Sequence, residues 1–142
     1  MQPQPIVKVA ILVSSDYIGV LNQIFTELGC DVTILEDTSA LEKHISTEKP
    51  DVIMVAPNVE EWKALRIMRE HLFALKAQDT YVCYLLHRDN GSTVRDLIHE
   101  IDNQHMSYIL TPFGFMGTKY QIFHNIIRKK RKSCIRTPSV YI

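Results

Sequence analysis

A chain of 142 residues, 46% hydrophobic and 23% charged, carries enough apolar material for one packed domain and too much for a disordered segment. No apolar run approaches the ~20 residues needed to span a bilayer, and residues 1–5 lack the basic and apolar regions of a secretory leader. Formal charge sums to zero but is segregated, with six basic and no acidic residues between 128 and 142, against 10 basic and 16 acidic in the remainder. The three cysteines, Cys30, Cys83 and Cys134, have no ligand-like or framework-like spacing and fit reduced thiols in the cytoplasm.

The first apolar run, residues 7–13, has strand length and is followed by Ile18, Leu21, Phe25 and Leu28 at helical spacing, with Gly29 as the left-handed stop. Residues 31–35 read as a second strand. Ser39 with Glu42 forms the pattern of a capping box before a helix carrying Leu41 and Ile45. After Pro50, residues 51–55 make a third strand. Asn58, with Glu61 three residues on, predicts the cap of one longer helix whose apolar face is Trp62, Leu65, Met68, Leu72 and Leu75. Residues 81–86 form a fourth strand, and Asp89-Asn90-Gly91 marks a loop. Val94, Leu97, Ile98 and Ile101 define the next helix, and residues 107–110 a short fifth strand. Thr118 with Gln121 predicts the cap of a last helix bearing Tyr120, Phe123, Ile126 and Ile127.

Five strand–helix units whose strands are nearly continuously apolar predict a parallel sheet covered on both faces, a three-layer α/β domain. No internal repeat or low-complexity segment interrupts it. The domain is expected over residues 1–132, with 133–142 a flexible tail or the start of a linker.

Two strand ends narrow the choice among such folds. The third strand runs Asp51-Val-Ile-Met-Val-Ala56 into Pro57, and the fifth ends Leu110-Thr111-Pro112-Phe113. These resemble the receiver domain of bacterial response regulators, the CheY-like domains of two-component phosphorelays, over residues 6–131. The resemblance implies a flavodoxin-like (βα)5 doubly wound sheet in strand order 2-1-3-4-5. It implies a pocket where the carboxyl ends of strands one, three, four and five converge, with an aspartate nucleophile beside a divalent cation. It also raises the expectation of a cis peptide at Thr111-Pro112.

Residue by residue, that chemistry is missing. The phosphoacceptor position holds Ala56, and the acid pair aligns with Ser14 and Ser15, with Asp16 the surviving acid if the registration slips by one. A hard cation such as Mg²⁺ takes oxygen ligands, commonly carboxylates, and neutral hydroxyls do not replace them. The switch hydroxyl aligns with Leu86 or His87, and the phosphoryl-binding lysine with Thr111, next to Pro112. The chain therefore reads as a degenerate pseudo-receiver with no catalytic residue, no metal and no cofactor.

Other signals are weaker. The six histidines fall on different elements without an i,i+4 pair or a cysteine partner at ligand spacing. A Ser14/Ser15–His87–Asp16 hydrolase lacks a Gly-x-Ser-x-Gly elbow. The loop after the first strand has one glycine and an acid, unlike a phosphate cradle. The run Arg128, Lys129, Lys130, Arg131 and Lys132 either complements a helix C-terminus or contacts nucleic acid, an acidic partner or a membrane surface. Basic on every face, it is expected to project beyond the core, and no aromatic is interleaved with it.

The expected function is a phosphorylation-independent protein-interaction module. Receivers signal through the face of their fourth helix, fifth strand and fifth helix, which here implies Val94, Leu97, Ile101, Tyr108, Tyr120, Phe123 and Ile127 as partner-binding, with a homodimer as one outcome. The alternative is the N-terminal regulatory domain of a transcription regulator, or DNA contact through the basic run.

Overall fold

The computed structural model describes residues 6–87, 91–100 and 105–136, and of 91–94, 98 and 133–136 the backbone alone. Ile101, residues 89–90 of the expected loop and the last six residues lie outside the described residues, as do the side chains of Val94 and Ile98.

Five strands, β1 (Lys8–Leu12), β2 (Asp31–Ile34), β3 (Val52–Val55), β4 (Tyr81–His87) and β5 (Met106–Thr111), form one parallel sheet in the order β2-β1-β3-β4-β5. The three central strands are buried on both faces, as their unbroken apolar sequences require, whereas β2 at one edge is largely exposed. Strand alternation then sorts their side chains into two layers. Val9, Ile11, Val52, Met54, Cys83, Leu85 and Ile109 face α1 (Ser15–Glu27) and the last helix. Ala10, Leu12, Ile53, Val55, Val82, Tyr84 and Leu86 face α2 (Thr38–Thr47), α3 (Val59–Glu70), α4 (Leu72–Ala77) and α5 (Gly91–Glu100). The three-layer α/β architecture and its strand order are thus as the sequence implied.

Local details differ in instructive ways. Gly29 stops the first helix with φ +79°, the left-handed turn expected of it. The cap of α2 is Asp37, whose carboxylate accepts from Ala40 N at 2.8 Å; Ser39 already lies inside the helix. Both residues suit the role, and the chain uses the one nearer the strand. Asn58 precedes α3 without a side-chain capping bond, and Glu60, Glu61 and Trp62 adopt φ of 53°, 55° and 70°. Three successive left-handed residues without glycine are unfavourable by roughly 1–2 kcal/mol each. Glu60 ties this turn to α2 by accepting from Thr38 N at 2.8 Å, and Trp62 packs half-buried on the core layer beside it.

The single long helix expected through Leu75 is two, broken at His71 (φ −101°, ψ 14°). His71 instead reaches across to Glu42, Nε2 to Oε2 at 3.0 Å. The last helix starts at Phe115 behind Gly114, so Thr118 is a buried residue of its first turns rather than a cap. It runs as α6 (Phe115–Ile122), a π-helical stretch (Phe123–Ile127) and α7 (Arg128–Arg136), four residues beyond the boundary expected at 132. No helix of the described residues is long and apolar enough to cross a membrane.

Candidate functional site

Parallel sheets of this kind bind ligands at the carboxyl ends of their strands, and a crevice of about 70 Å³ lies there, lined by Ser14, Tyr17, Ala56, Asn58, Leu85, His87 and Thr111. Most of the lining residues sit at or just past a strand end. Ala56 continues β3, its N–H donating to Leu12 O at 2.9 Å, and is nearly buried. Ser14 is extended (φ −65°, ψ 156°) between β1 and α1, and its hydroxyl makes no capping bond. Thr111 is buried and donates its hydroxyl to Leu86 O at 3.3 Å, so that hydroxyl holds β5 to β4. The Thr111-Pro112 peptide is cis.

Four of the eight residues assigned to this pocket from sequence therefore line it: Ser14, Ala56, His87 and Thr111. Between Leu86 and His87 the pleat decides, since Leu86 points into the opposite core layer while Leu85 and His87 face the crevice. Ser15 and Asp16 stand exposed on the first turn of α1, and Pro112 is exposed; none of the three lines the crevice. A serine–histidine–aspartate arrangement is accordingly not assembled. Tyr17, Asn58 and Leu85 were missed. Tyr17 lies in the first turn of α1, with its ring 5.7 Å from that of Phe113, and Asn58 lies three residues past the β3 end. Following the chain three residues past Val55 would have found Asn58.

The chemistry this crevice can offer is neutral hydrogen bonding plus one imidazole. Among the described residues, no carboxylate lines it, and no group of three His, Cys, Asp or Glu is arranged to hold a metal ion. Among the described residues two thiols are held back: burial pushes Cys83 up to about 12, and burial pushes Cys30 up to about 11 against the opposing pull of Arg131.

The partner face expected from sequence does not survive intact. Leu97 and Ile127 are fully buried core residues, on opposite layers of the sheet, and present nothing to a partner. Ile127 is turned inward at the end of the π-helical stretch, with Ile126 beside it. Tyr108 is half-buried on the α5 side. Tyr120 and Phe123 belong elsewhere: with Leu28, Met116 and Lys119 they line a groove of about 310 Å³ between α6 and the end of α1.

The basic run is likewise divided by the helix. Lys130 is buried at 8% exposure, its ammonium donating to Asp79 O and lying 3.5 Å from the Asp79 carboxylate. Arg131 donates to Leu28 O. Arg128, Lys129 and Lys132 are exposed. The expectation that the whole run projects from the core fails because successive helical residues point in different directions, and a lysine stem can lie along apolar surface with its head at a carbonyl.

No family model matches the sequence, and no curated protein matches it. Solved structures do resemble the fold. The signal receiver domain of a LuxO repressor protein from Vibrio parahaemolyticus superposes with TM-score 0.70 at 14% identity, over 92% of this chain and 98% of that one. A response regulator from Thermotoga maritima gives 0.67 at 19% identity, over 86% and 98%. The receiver domain of a sensor histidine kinase from Pseudomonas aeruginosa, with magnesium coordinated in its active-site cleft, gives 0.65 at 13%, over 86% and 98%. The chain has the CheY-like receiver fold. The described lining of its crevice, with hydroxyls, an amide and an imidazole but no carboxylate, does not fit a hard cation such as the magnesium of the Pseudomonas domain.

Proposed function

We propose that this chain is a signalling module of receiver fold that works without aspartyl phosphorylation, through contact with a protein partner. The observation that carries the reading is Ala56, a methyl group at the end of β3 where the crevice would need an acceptor oxygen. Losses around it point the same way, because Ser14 and Thr111 are neutral and Thr111 is engaged with the backbone. A carboxylate nucleophile activated beside a cation requires both partners, and neither has a residue here.

In this reading the module is held in one state until a partner with different affinity for its alternatives shifts it. A homodimer through the exposed margin of β5 and its flanking helices is one such partnership. A second reading, favoured by the exposure of Arg128, Lys129 and Lys132, is an anionic partner at α7, whether nucleic acid for a transcription regulator or an acidic protein. Incubation of the chain with acetyl phosphate and Mg²⁺ followed by intact-mass measurement tests the main reading. No gain of a phosphoryl group is expected; a hydroxylamine-labile phosphoryl adduct on a crevice residue refutes it.

A further inference from the structure

The exposed side of the last helix carries two kinds of surface in sequence along its length. Met116 and Tyr120, 70% and 68% exposed, are among the most exposed large apolar residues described. They border the groove completed by Leu28 and Phe123. Lys119 also lines it, but its ammonium is neutralised by Glu27 Oε1 at 3.0 Å, so the groove is apolar and carries no net charge. Tyr120 continues directly into a polar stripe: its ring centroid lies 4.2 Å from that of His124, whose Nδ1 is 3.4 Å from the Arg128 guanidinium. Lys132 follows one turn on, with Lys129 beside it. Among the described residues, no carboxylate forms an ion pair with Arg128, Lys129 or Lys132, whereas Lys130 and Arg131 of the same run are engaged by the fold.

From this juxtaposition we infer that the α6–α7 surface is a docking site for an amphipathic acidic peptide segment of a protein partner. Its apolar side chains would fill the groove beside Tyr120, and its carboxylates would meet Arg128, Lys129 and Lys132. This rests on the reading of the chain as an interaction module and names the chemistry of its partner.

Two features select a peptide over a polynucleotide. Charge is confined to one half of the surface, whereas a nucleic acid presents phosphates along its whole length. The uncharged half is a groove walled by Leu28, Met116 and Phe123, a shape that takes aliphatic or aromatic side chains, while one side of the Tyr120 ring is already against His124. Unbranched Met116 is suited to repacking around such side chains. Met116 to Lys132 spans about 24 Å of helix, matched by a partner helix of about four turns.

The test is a display selection against the 142-residue chain. The library is of helical peptides with apolar residues fixed at i, i+3, i+4 and i+7 and Asp, Glu, Lys or Ala drawn at random elsewhere. Enrichment of Asp and Glu is expected. The best peptide, fluorescein-labelled, should bind at least tenfold more weakly to Tyr120→Glu, and at least tenfold more weakly to Arg128→Glu/Lys132→Glu. These positions are exposed, so circular dichroism should show both variants folded. Enrichment of neutral or basic peptides, binding indifferent to either variant, or tighter binding of fluorescein-labelled oligo(dT) than of the best peptide overturns the proposal. Repeating the titration with acetyl phosphate and Mg²⁺ separates the two readings. A changed affinity that accompanies a phosphoryl adduct refutes phosphorylation independence while leaving the docking site in place.

Discussion

At the amino end of the sheet, polar groups are spent on holding the chain together. Lys8 N donates to Asp51 Oδ2 at 2.9 Å, the Thr80 hydroxyl to Pro50 O at 2.7 Å, Lys130 to Asp79 O and Arg131 to Leu28 O, each joining segments far apart in sequence. At the carboxyl end, Ser14 and Asn58 make no side-chain capping bond and Ala56 is apolar, while Thr111 fastens β5 to β4. The comparison teaches that strand ends can converge on a crevice that spends few of its own polar groups on holding them together. The strand ends still converge because the sheet is held by its core and its opposite end.

The largest expected effect comes from restoring an acid to the neutral end. Ala56→Asp puts a carboxylate into a buried site without a Lys or Arg neighbour among the described lining residues. It should lower stability by roughly 2–3 kcal/mol in urea denaturation, and millimolar Mg²⁺ should not restore it. Rescue by Mg²⁺ together with phosphoryl uptake from acetyl phosphate would show that the crevice lacks only its nucleophile, and the contrast between the two ends would collapse.

A smaller effect tests the fastened end. Lys130→Ala removes a buried ammonium from Asp79 and leaves that carbonyl short of a donor, for about 1–2 kcal/mol. Lys132→Ala, two residues on and exposed, should change stability by less than ~0.5 kcal/mol. Equal effects from the two would mean the basic run acts as one solvated block.

That division was not legible in the sequence, and the reason is geometric. A charge run shows its composition but not which residues point inward, and the π-helical stretch at Phe123–Ile127 resets the rotation of everything after it. The same reset, together with the inward face of α5, explains why Ile127 and Leu97 are core residues rather than surface. The strands were legible because burial on both faces leaves an unbroken apolar run such as Val52–Val55, and Gly29 because its left-handed turn favours glycine. At the crevice, alignment by strand ends found Ser14, Ala56 and Thr111, since a strand end is visible in sequence. Tyr17 required knowledge of the direction in which α1 leaves the sheet. The break at His71 and the left-handed turn at Glu60–Trp62 carry no glycine or proline to announce them; each coincides with a contact to α2, His71 to Glu42 and Glu60 to Thr38.

The smallest effects lie where those two elements meet, at the amino end of α2, which receives two carboxylates. Asp37 caps Ala40 N and Glu60 accepts from Thr38 N, both at 2.8 Å. Asp37→Ala should lower stability by about 1 kcal/mol and Ser39→Ala by much less, since only the former removes the cap. Thr38, whose hydroxyl lies near the carboxylate and whose backbone N–H donates to it at 2.8 Å, holds the Glu60 carboxyl below its ordinary value. A depressed folded-state value means the stabilisation is present in full above the ordinary carboxylate range and is lost as pH falls through the lower, folded value. Glu60 is exposed, so the effect is screened by solvent and should be the weakest of the series. Thermal melts of Glu60→Gln beside the parent chain should differ near neutrality and converge in acid. A gap that stays constant with pH would mean that the left-handed turn is held by packing around Trp62 rather than by the charged Glu60–Thr38 contact.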